Sequence, residues 1–189
     1  MGWLIIIVSL PIVVIGYLAQ DFITNELRSL WIIATMMVVF GLILGGADRF
    51  APRTKELSQL TVKHGILYGL AQSLALIPGV SRSGATIAMG RALGYSREAA
   101  LRYSFLLALP AVFGSGLYQL KSALSEDQVA VYSLGETFVA TAIAFVVGYL
   151  VISWLLKFVT TKSFAPFIIY RVILGTTVLG LLAAGVVQP

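Results

Sequence analysis

Residues 77–86 read Ile77-Pro78-Gly79-Val80-Ser81-Arg82-Ser83-Gly84-Ala85-Thr86, and most of the chemistry this chain could do is concentrated there. Pro78 has no N–H and disfavours helix at Ile77, while Gly79 permits backbone angles closed to other residues. Beyond that break, Ser81, Ser83 and Thr86 can cap a new helix and leave its first N–H groups free to face a ligand. The positive end of the helix dipole and the Arg82 guanidinium would then converge on one spot. Hydroxyls, free backbone N–H groups and an arginine fork together favour a phosphate oxyanion. The competing reading is an ordinary polar loop at a membrane surface with Arg82 in solvent. Ionisable groups between short apolar flanks are usually functional, which favours the phosphate site.

Phosphoryl chemistry also needs a nucleophile and a group that moves a proton. Ser81 or Ser83 could be the nucleophile, but a serine needs a base beside it. The sole histidine, His64, stands at the far end of the preceding helical segment, roughly 18–20 Å from Ser81 at helical rise. It reads as an interfacial residue near a helix start. All 8 carboxylates lie in loops or at helix ends. No cluster of oxygen ligands suited to a divalent metal is visible.

Other polar residues carry weaker signals. Arg171 could line the same cavity or extend to the interface. Arg91 is expected to face the cytoplasmic rim. Gln72 and Ser73 could face the site or satisfy interhelical hydrogen bonds, and Gly114-Ser115-Gly116 reads as close helix packing.

The elements that must hold this stretch are membrane helices. The chain has 189 residues, 59% hydrophobic and 11% charged, with a mean hydropathy of +0.95. Several apolar runs approach the length of a spanning helix, and the apolar/polar alternation of a lipid-facing barrel is missing. A net charge of +5 reports first on loop orientation and then on anionic partners; it implies no nucleic acid. Without cysteine there is no disulfide and no thiolate metal site.

Spans are expected over residues 2–19, kinked at Pro11, then 30–47, 96–120 with Pro110 inside, 137–158 and 164–187. Residues 64–76 and 87–94 flank the central stretch. Each is too short to cross a bilayer and reads as half of a re-entrant hairpin. Ser96 is expected to cap the third span, and Glu98 to pair with Arg102 one turn on. The loop 48–63 carries four basic and two acidic residues, and the connection holding Lys157 and Lys162 has no acid. The turn at 21–28 and the loop 121–136 are net acidic. The positive-inside rule places the basic pair in the cytoplasm, an order that holds only if the segment around Pro78 enters and leaves on one side. The chain is thus read as one all-α integral membrane domain: two spans and a cytoplasmic loop over 1–63, the hairpin over 64–95 and three spans over 96–189.

The run Pro78-Gly79-Val80-Ser81-Arg82-Ser83-Gly84-Ala85-Thr86 resembles the Pro-Gly-x-Ser-Arg-Ser-x-x-Thr signature of the bacterial undecaprenyl-diphosphatase family, the bacitracin-resistance type. Residues 72–78, 103–110 and 164–171 are similar to that family as well. The resemblance covers all 189 residues, aligned to the C-terminal two-thirds of a typical member. It implies an inverted-repeat fold with two re-entrant hairpins, of which this chain shows the second. It implies a C55 polyprenyl diphosphate as substrate, hydrolysed to the monophosphate and inorganic phosphate, so recycling the lipid carrier of cell-wall synthesis in the bacterial inner membrane. Arg82 would clamp the diphosphate, and Ser81, Ser83 and Thr86 would hydrogen-bond it with help from the Gly84 and Ala85 N–H groups. Gly79 and Pro78 would shape the turn.

The family's Glu-x-x-x-Glu and Pro-x-Ser-Ser-x-Gly-His motifs, which carry its proposed nucleophile, histidine and acids, have no match here. The chain is therefore expected to begin within a longer fold, to hold half of an active site and to turn over little substrate alone. No cofactor is expected within it, although the resemblance leaves room for magnesium or calcium in the complete family site and for a homo-oligomer. A transporter or flippase for an anionic substrate is the alternative that broken helices allow.

Overall fold

The computed structural model describes residues 2–124 and 133–188, and among these every regular element is helical. The elements are α1 (Gly2–Leu18), α2 (Gln20–Asn25), α3 (Leu30–Phe50), α4 (Val62–Ser73), α5 (Arg82–Ala92), α6 (Arg97–Leu124), α7 (Leu134–Thr161) and α8 (Ala165–Ala183). By length and composition α3, α6, α7 and α8 can each cross a membrane. The expected first span, α1, is an apolar helix of 17 residues containing Pro11, at the short limit for crossing. Half of the loop expected over 121–136 lies outside the described residues, and α6 extends four residues into it.

Local sequence explains most of the boundaries. The Ser29, Thr61 and Ser133 side chains each accept an N–H at the start of α3, α4 and α7, the usual work of an N-cap hydroxyl. Ser96 does the same for α6 by accepting from the Ala99 N–H at 3.2 Å. Arg102 reaches back to Glu98 at 2.8 Å. Gly114 and Gly116, expected to mark close packing, meet no described neighbour within 4 Å. The close approach is elsewhere: a Cβ on Gly175 would stand 2.9 Å from the Ala34 carbonyl, so α3 and α8 touch backbone to backbone.

α4 and α5 form the re-entrant hairpin, with 12 and 11 residues. Its two outer ends meet. His64 Nδ1 lies 2.8 Å from the Tyr95 hydroxyl, and that hydroxyl donates to Gln59 O at 3.2 Å. Lys55 Nζ donates to Leu93 O at 2.7 Å. Residues just before α4 and just after α5 therefore share one end of the molecule, as a hairpin requires and a full crossing forbids. Burial, followed by the charges of Lys55 and Lys63, holds the His64 imidazole below its usual pKa. His64 is a brace for the hairpin's ends.

The core lies where this hairpin packs against α1, α3 and α6. Tyr68, Tyr95 and Tyr103 stack edge-on within it, Tyr68 and Tyr103 with ring centres 4.7 Å apart. α7 is different: it packs chiefly on α6, and most of its surface is exposed apolar side chain. That is the pattern of a helix solvated by lipid.

Arg91 does not face the rim. It is wholly buried and every donor of its guanidinium is used. Nε bonds Asp48 Oδ1 at 3.2 Å, Nη1 bonds the carbonyls of Pro52 and Tyr95, and Nη2 bonds those of Asp48 and Ala51. Asp48 is shared. Arg97 holds both its oxygens, at 2.7 and 2.8 Å, and the Phe164 N–H donates to Oδ2 at 3.4 Å. One carboxylate thus ties α3, α5, α6 and the start of α8 together. Its loss would leave a buried guanidinium without its counter-charge.

Asp48→Asn is expected to lower the unfolding free energy by about 3–5 kcal/mol, the usual cost of removing one member of a buried pair. The measurement is equilibrium unfolding in mixed detergent. Adding Arg91→Met should cost less than the two single changes summed; strict additivity would mean that the two side chains are not coupled.

Candidate functional site

The hairpin's tip is a turn followed at once by a helix. Val80 N–H donates to Ile77 O at 3.2 Å, closing a four-residue turn with Pro78 second and Gly79 third. Gly79 has φ +93°, as the third position of a type II turn requires. A Cβ there would also stand 2.3 Å from the Ile33 carbonyl oxygen, because α3 presses directly on the turn. Ser81 follows with φ +66°, the one described non-glycine residue at positive φ. Such a backbone costs on the order of 1–3 kcal/mol and is kept where the surroundings enforce it.

The enforcement comes from two sides. Ser81 Oγ accepts the Gly84 N–H at 3.2 Å, capping α5. From α8, Arg171 Nη2 donates to Gly79 O at 2.5 Å and to Val80 O at 3.2 Å. Arg171 was placed by sequence either in the cavity or at the interface; it lines the cavity and braces the turn. Its Nε and Nη1 protons have no partner among the described residues.

In front of the turn lies a cavity of about 200 Å³. One end is polar, formed by Ser81, Ser83, Gly84 and Arg171. Apart from Tyr170 the remaining walls are apolar, among them Leu44, Phe105, Leu155 and Phe167. Arg82 heads α5 between Ser81 and Ser83 but does not itself line the cavity. It is half-buried, and its guanidinium has no hydrogen bond or ion pair with any described residue. The walls hold three hydroxyls, those of Ser81, Ser83 and Tyr170, and a cation, with no carboxylate or imidazole among the described residues. The positive end of the α5 dipole adds to that cation. The cavity's electrostatics therefore favour an anion, and its shape favours one attached to an apolar body.

Several residues expected at the ligand are employed differently. The Gly84 N–H is taken by Ser81 Oγ and the Ala85 N–H by Ser81 O at 3.0 Å. The free N–H groups at the head of α5 are instead those of Arg82 and Ser83. Thr86 is fully buried, and its hydroxyl is 3.0 Å from Arg82 O, 3.1 Å from Ser83 O and 2.6 Å from Ser104 Oγ. It joins α5 to α6 and does not line the cavity. Gln72 does not line it either: its side chain is buried one turn beyond Tyr68, and neither amide atom meets a described partner. Ser73 turns back on its own helix, to Gly69 O. Ser104 and the apolar wall from α6, α7 and α8 were not singled out by sequence, because nothing in an apolar run marks which face will meet the hairpin. No group of three or more His, Asp or Glu side chains comes together among the described residues.

Residues 1–177 match the family model described as bacitracin resistance protein BacA. The chain is 59% identical over 189 residues to the undecaprenyl-diphosphatase of Micrococcus luteus, covering all of this chain and 68% of that one. It is 60% identical over the same length to that of Pseudarthrobacter chlorophenolicus, again covering 68% of the relative. Undecaprenyl-diphosphatase 2 of Agrobacterium fabrum is 55% identical over 188 residues, with 67% of its length covered.

The two glycines of the tip should respond differently to a methyl group. Gly79→Ala is expected to destabilise the protein by about 2–4 kcal/mol, from the positive φ and the clash with α3 together. A Cβ on Gly84 meets only Ser81 side-chain atoms at 3.2 Å, so Gly84→Ala should cost about 1 kcal/mol or less. Thermal unfolding in detergent ranks the two, and equal losses would contradict the turn described.

Proposed function

The chain belongs to the family of the bacitracin resistance protein BacA, and from that premise we infer that it is a membrane phosphatase acting on undecaprenyl diphosphate. The reaction is hydrolysis of the diphosphate to undecaprenyl phosphate and inorganic phosphate, which returns the lipid carrier to cell-wall synthesis. The observation that carries the assignment is the cavity at the hairpin tip, lined at one end by Ser81, Ser83, Gly84 and Arg171 and mostly apolar elsewhere. At about 200 Å³ it is smaller than the pockets that enclose drug-sized ligands. It takes the diphosphate and the adjoining part of the tail, and the rest of the chain passes between helices into lipid.

The roles follow from the free donors. Arg82, with no partner among the described residues, is the clamp that neutralises charge building on the phosphoryl oxygens. The Arg82 and Ser83 N–H groups and the Ser81 and Ser83 hydroxyls complete the cradle. Ser81 Oγ already accepts a bond from Gly84, and its own proton remains to donate to the ligand. Arg171 has protons to spare after bracing the turn and reaches the same anion. Attack on the terminal phosphorus requires a base for the nucleophile's proton. The described walls supply none, so the parts given to Ser81 and Ser83 here are in binding. The protein works in the bacterial inner membrane, with the hairpin base at the cytoplasmic face and the tip opening the other way.

Arg82→Ala is expected to weaken binding of a fluorescent polyprenyl diphosphate at least tenfold. In a chain that also carries the family's Glu-x-x-x-Glu and Pro-x-Ser-Ser-x-Gly-His motifs, phosphate release should fall by about 10²–10³, the usual loss for one charge-stabilising group in a dry site. The measurements are titration in detergent and release of inorganic phosphate. Near-normal affinity in Arg82→Ala alongside a loss in Arg171→Ala would transfer the clamp to Arg171.

A further inference from the structure

A second cavity, of about 660 Å³, opens where the C-terminal end of α3, the start of α6 and the start of α8 meet. It shares no lining residue with the cavity at the hairpin tip. Its polar wall holds Arg49, Arg53, Arg97 and Asp48, and its apolar wall includes Phe50, Ile168 and Ile169. The charges do not balance. Asp48 is already held by Arg97 through both oxygens and by Arg91 from behind. Arg53 makes one long contact, to the Asp48 carbonyl at 3.4 Å, and Arg49 has no described partner. Glu56 and Glu98 line a separate groove reached past Arg53 and Arg97, and Glu98 is paired with Arg102.

Four guanidiniums therefore surround one spent carboxylate. Two of them sit on the exposed rim, at the end of the molecule that the basic loops assign to the cytoplasm. The N-terminus of α8 adds the positive end of its dipole. Phe50, at 82% exposure, and Ile169, at 55%, stand beside the charges. An anion with two or more negative charges and no apolar part would gain nothing from those side chains. A head group with one phosphodiester and two acyl chains would use both walls.

We propose that this cavity binds the phosphodiester head group of an anionic phospholipid from the cytoplasmic leaflet, held by Arg49, Arg53 and Arg97 with its chains over Phe50, Ile168 and Ile169. Basic pockets between membrane helices on the cytoplasmic side commonly bind such head groups. The lipid would sit against the elements that Asp48 ties together, so its occupancy would tighten the base of the hairpin.

The test uses the protein in nanodiscs of mixed phosphatidylglycerol and phosphatidylcholine, with retained lipid counted by native mass spectrometry. The parent protein is expected to keep phosphatidylglycerol over phosphatidylcholine by about tenfold, the order expected from two arginines at an anionic surface. Arg49→Gln with Arg53→Gln should reduce the preference to about threefold or less, while the unfolding temperature in pure phosphatidylcholine stays that of the parent. If the double variant is unstable, Arg49→Gln alone, which breaks no contact, should still lower the preference. Lys157→Gln, at an exposed charge that does not line this cavity, should leave it intact. Equal retention of the two lipids, an equal loss in Lys157→Gln, or displacement of the lipid by millimolar inorganic phosphate would each overturn the proposal.

Discussion

A charged hydrogen-bond network buried at one end of the molecule sets the position of everything above it. Asp48 can sit inside because two arginines and a backbone N–H meet its oxygens. Arg91 can sit inside because Asp48 and four carbonyls use all its donors. Neither is tolerable alone in a low-dielectric interior. Together they fix the ends of α3, α5, α6 and α8 relative to one another, and so fix the depth at which an 11-residue α5 can present its first residue. The tip is held by length: a helix anchored at Arg91 puts Arg82 about 13 Å further in, at 1.5 Å per residue.

Binding at the tip then depends on which donors the fold leaves unused. In water, protein N–H groups are satisfied by solvent and tell little. Within the membrane a free donor has to find a protein or ligand partner. The three arginines near the hairpin form a series. Arg91 has no proton left, Arg171 spends one nitrogen on the turn, and Arg82 spends none on a described residue. The same count separates the α5 N–H groups, with Gly84 and Ala85 committed and Arg82 and Ser83 open. Ser83 and Arg171 line the cavity, and Arg82 stands next to Ser81 and Ser83 at the head of α5, so the unspent donors cluster around the hairpin tip.

Much of this could be read from the chain. Short apolar flanks around Pro78 gave the hairpin, charge asymmetry gave its re-entrance, and Ser-Arg-Ser after a Pro-Gly break gave the phosphate site. The parts that could not be read are those set by partners distant in sequence. Arg91 reads as a rim residue until Asp48, 43 residues earlier, is brought to it. Thr86 reads as a ligand group until Ser104 is found against its hydroxyl. Gln72 reads as a cavity residue because its helix faces the site, but a side chain's direction around a buried helix is set by packing that periodicity in an all-apolar segment does not encode. The local turn was legible because its cause is local: only glycine suits the third position of that turn, whatever else is nearby.

The strain at Ser81 completes the physical picture. A serine at φ +66° and ψ 114° sits in a region that glycine would occupy more cheaply. Glycine would relieve the strain but lose the hydroxyl that caps α5. Aspartate or asparagine would keep a cap, but aspartate would set a negative charge where an anion must bind. Serine is the small residue that caps the helix, keeps a proton to donate and adds no charge of its own. The backbone cost is then met by contacts already required for other reasons: Arg171 on the two preceding carbonyls, α3 against Gly79, and the buried network that keeps α5 from sliding outward.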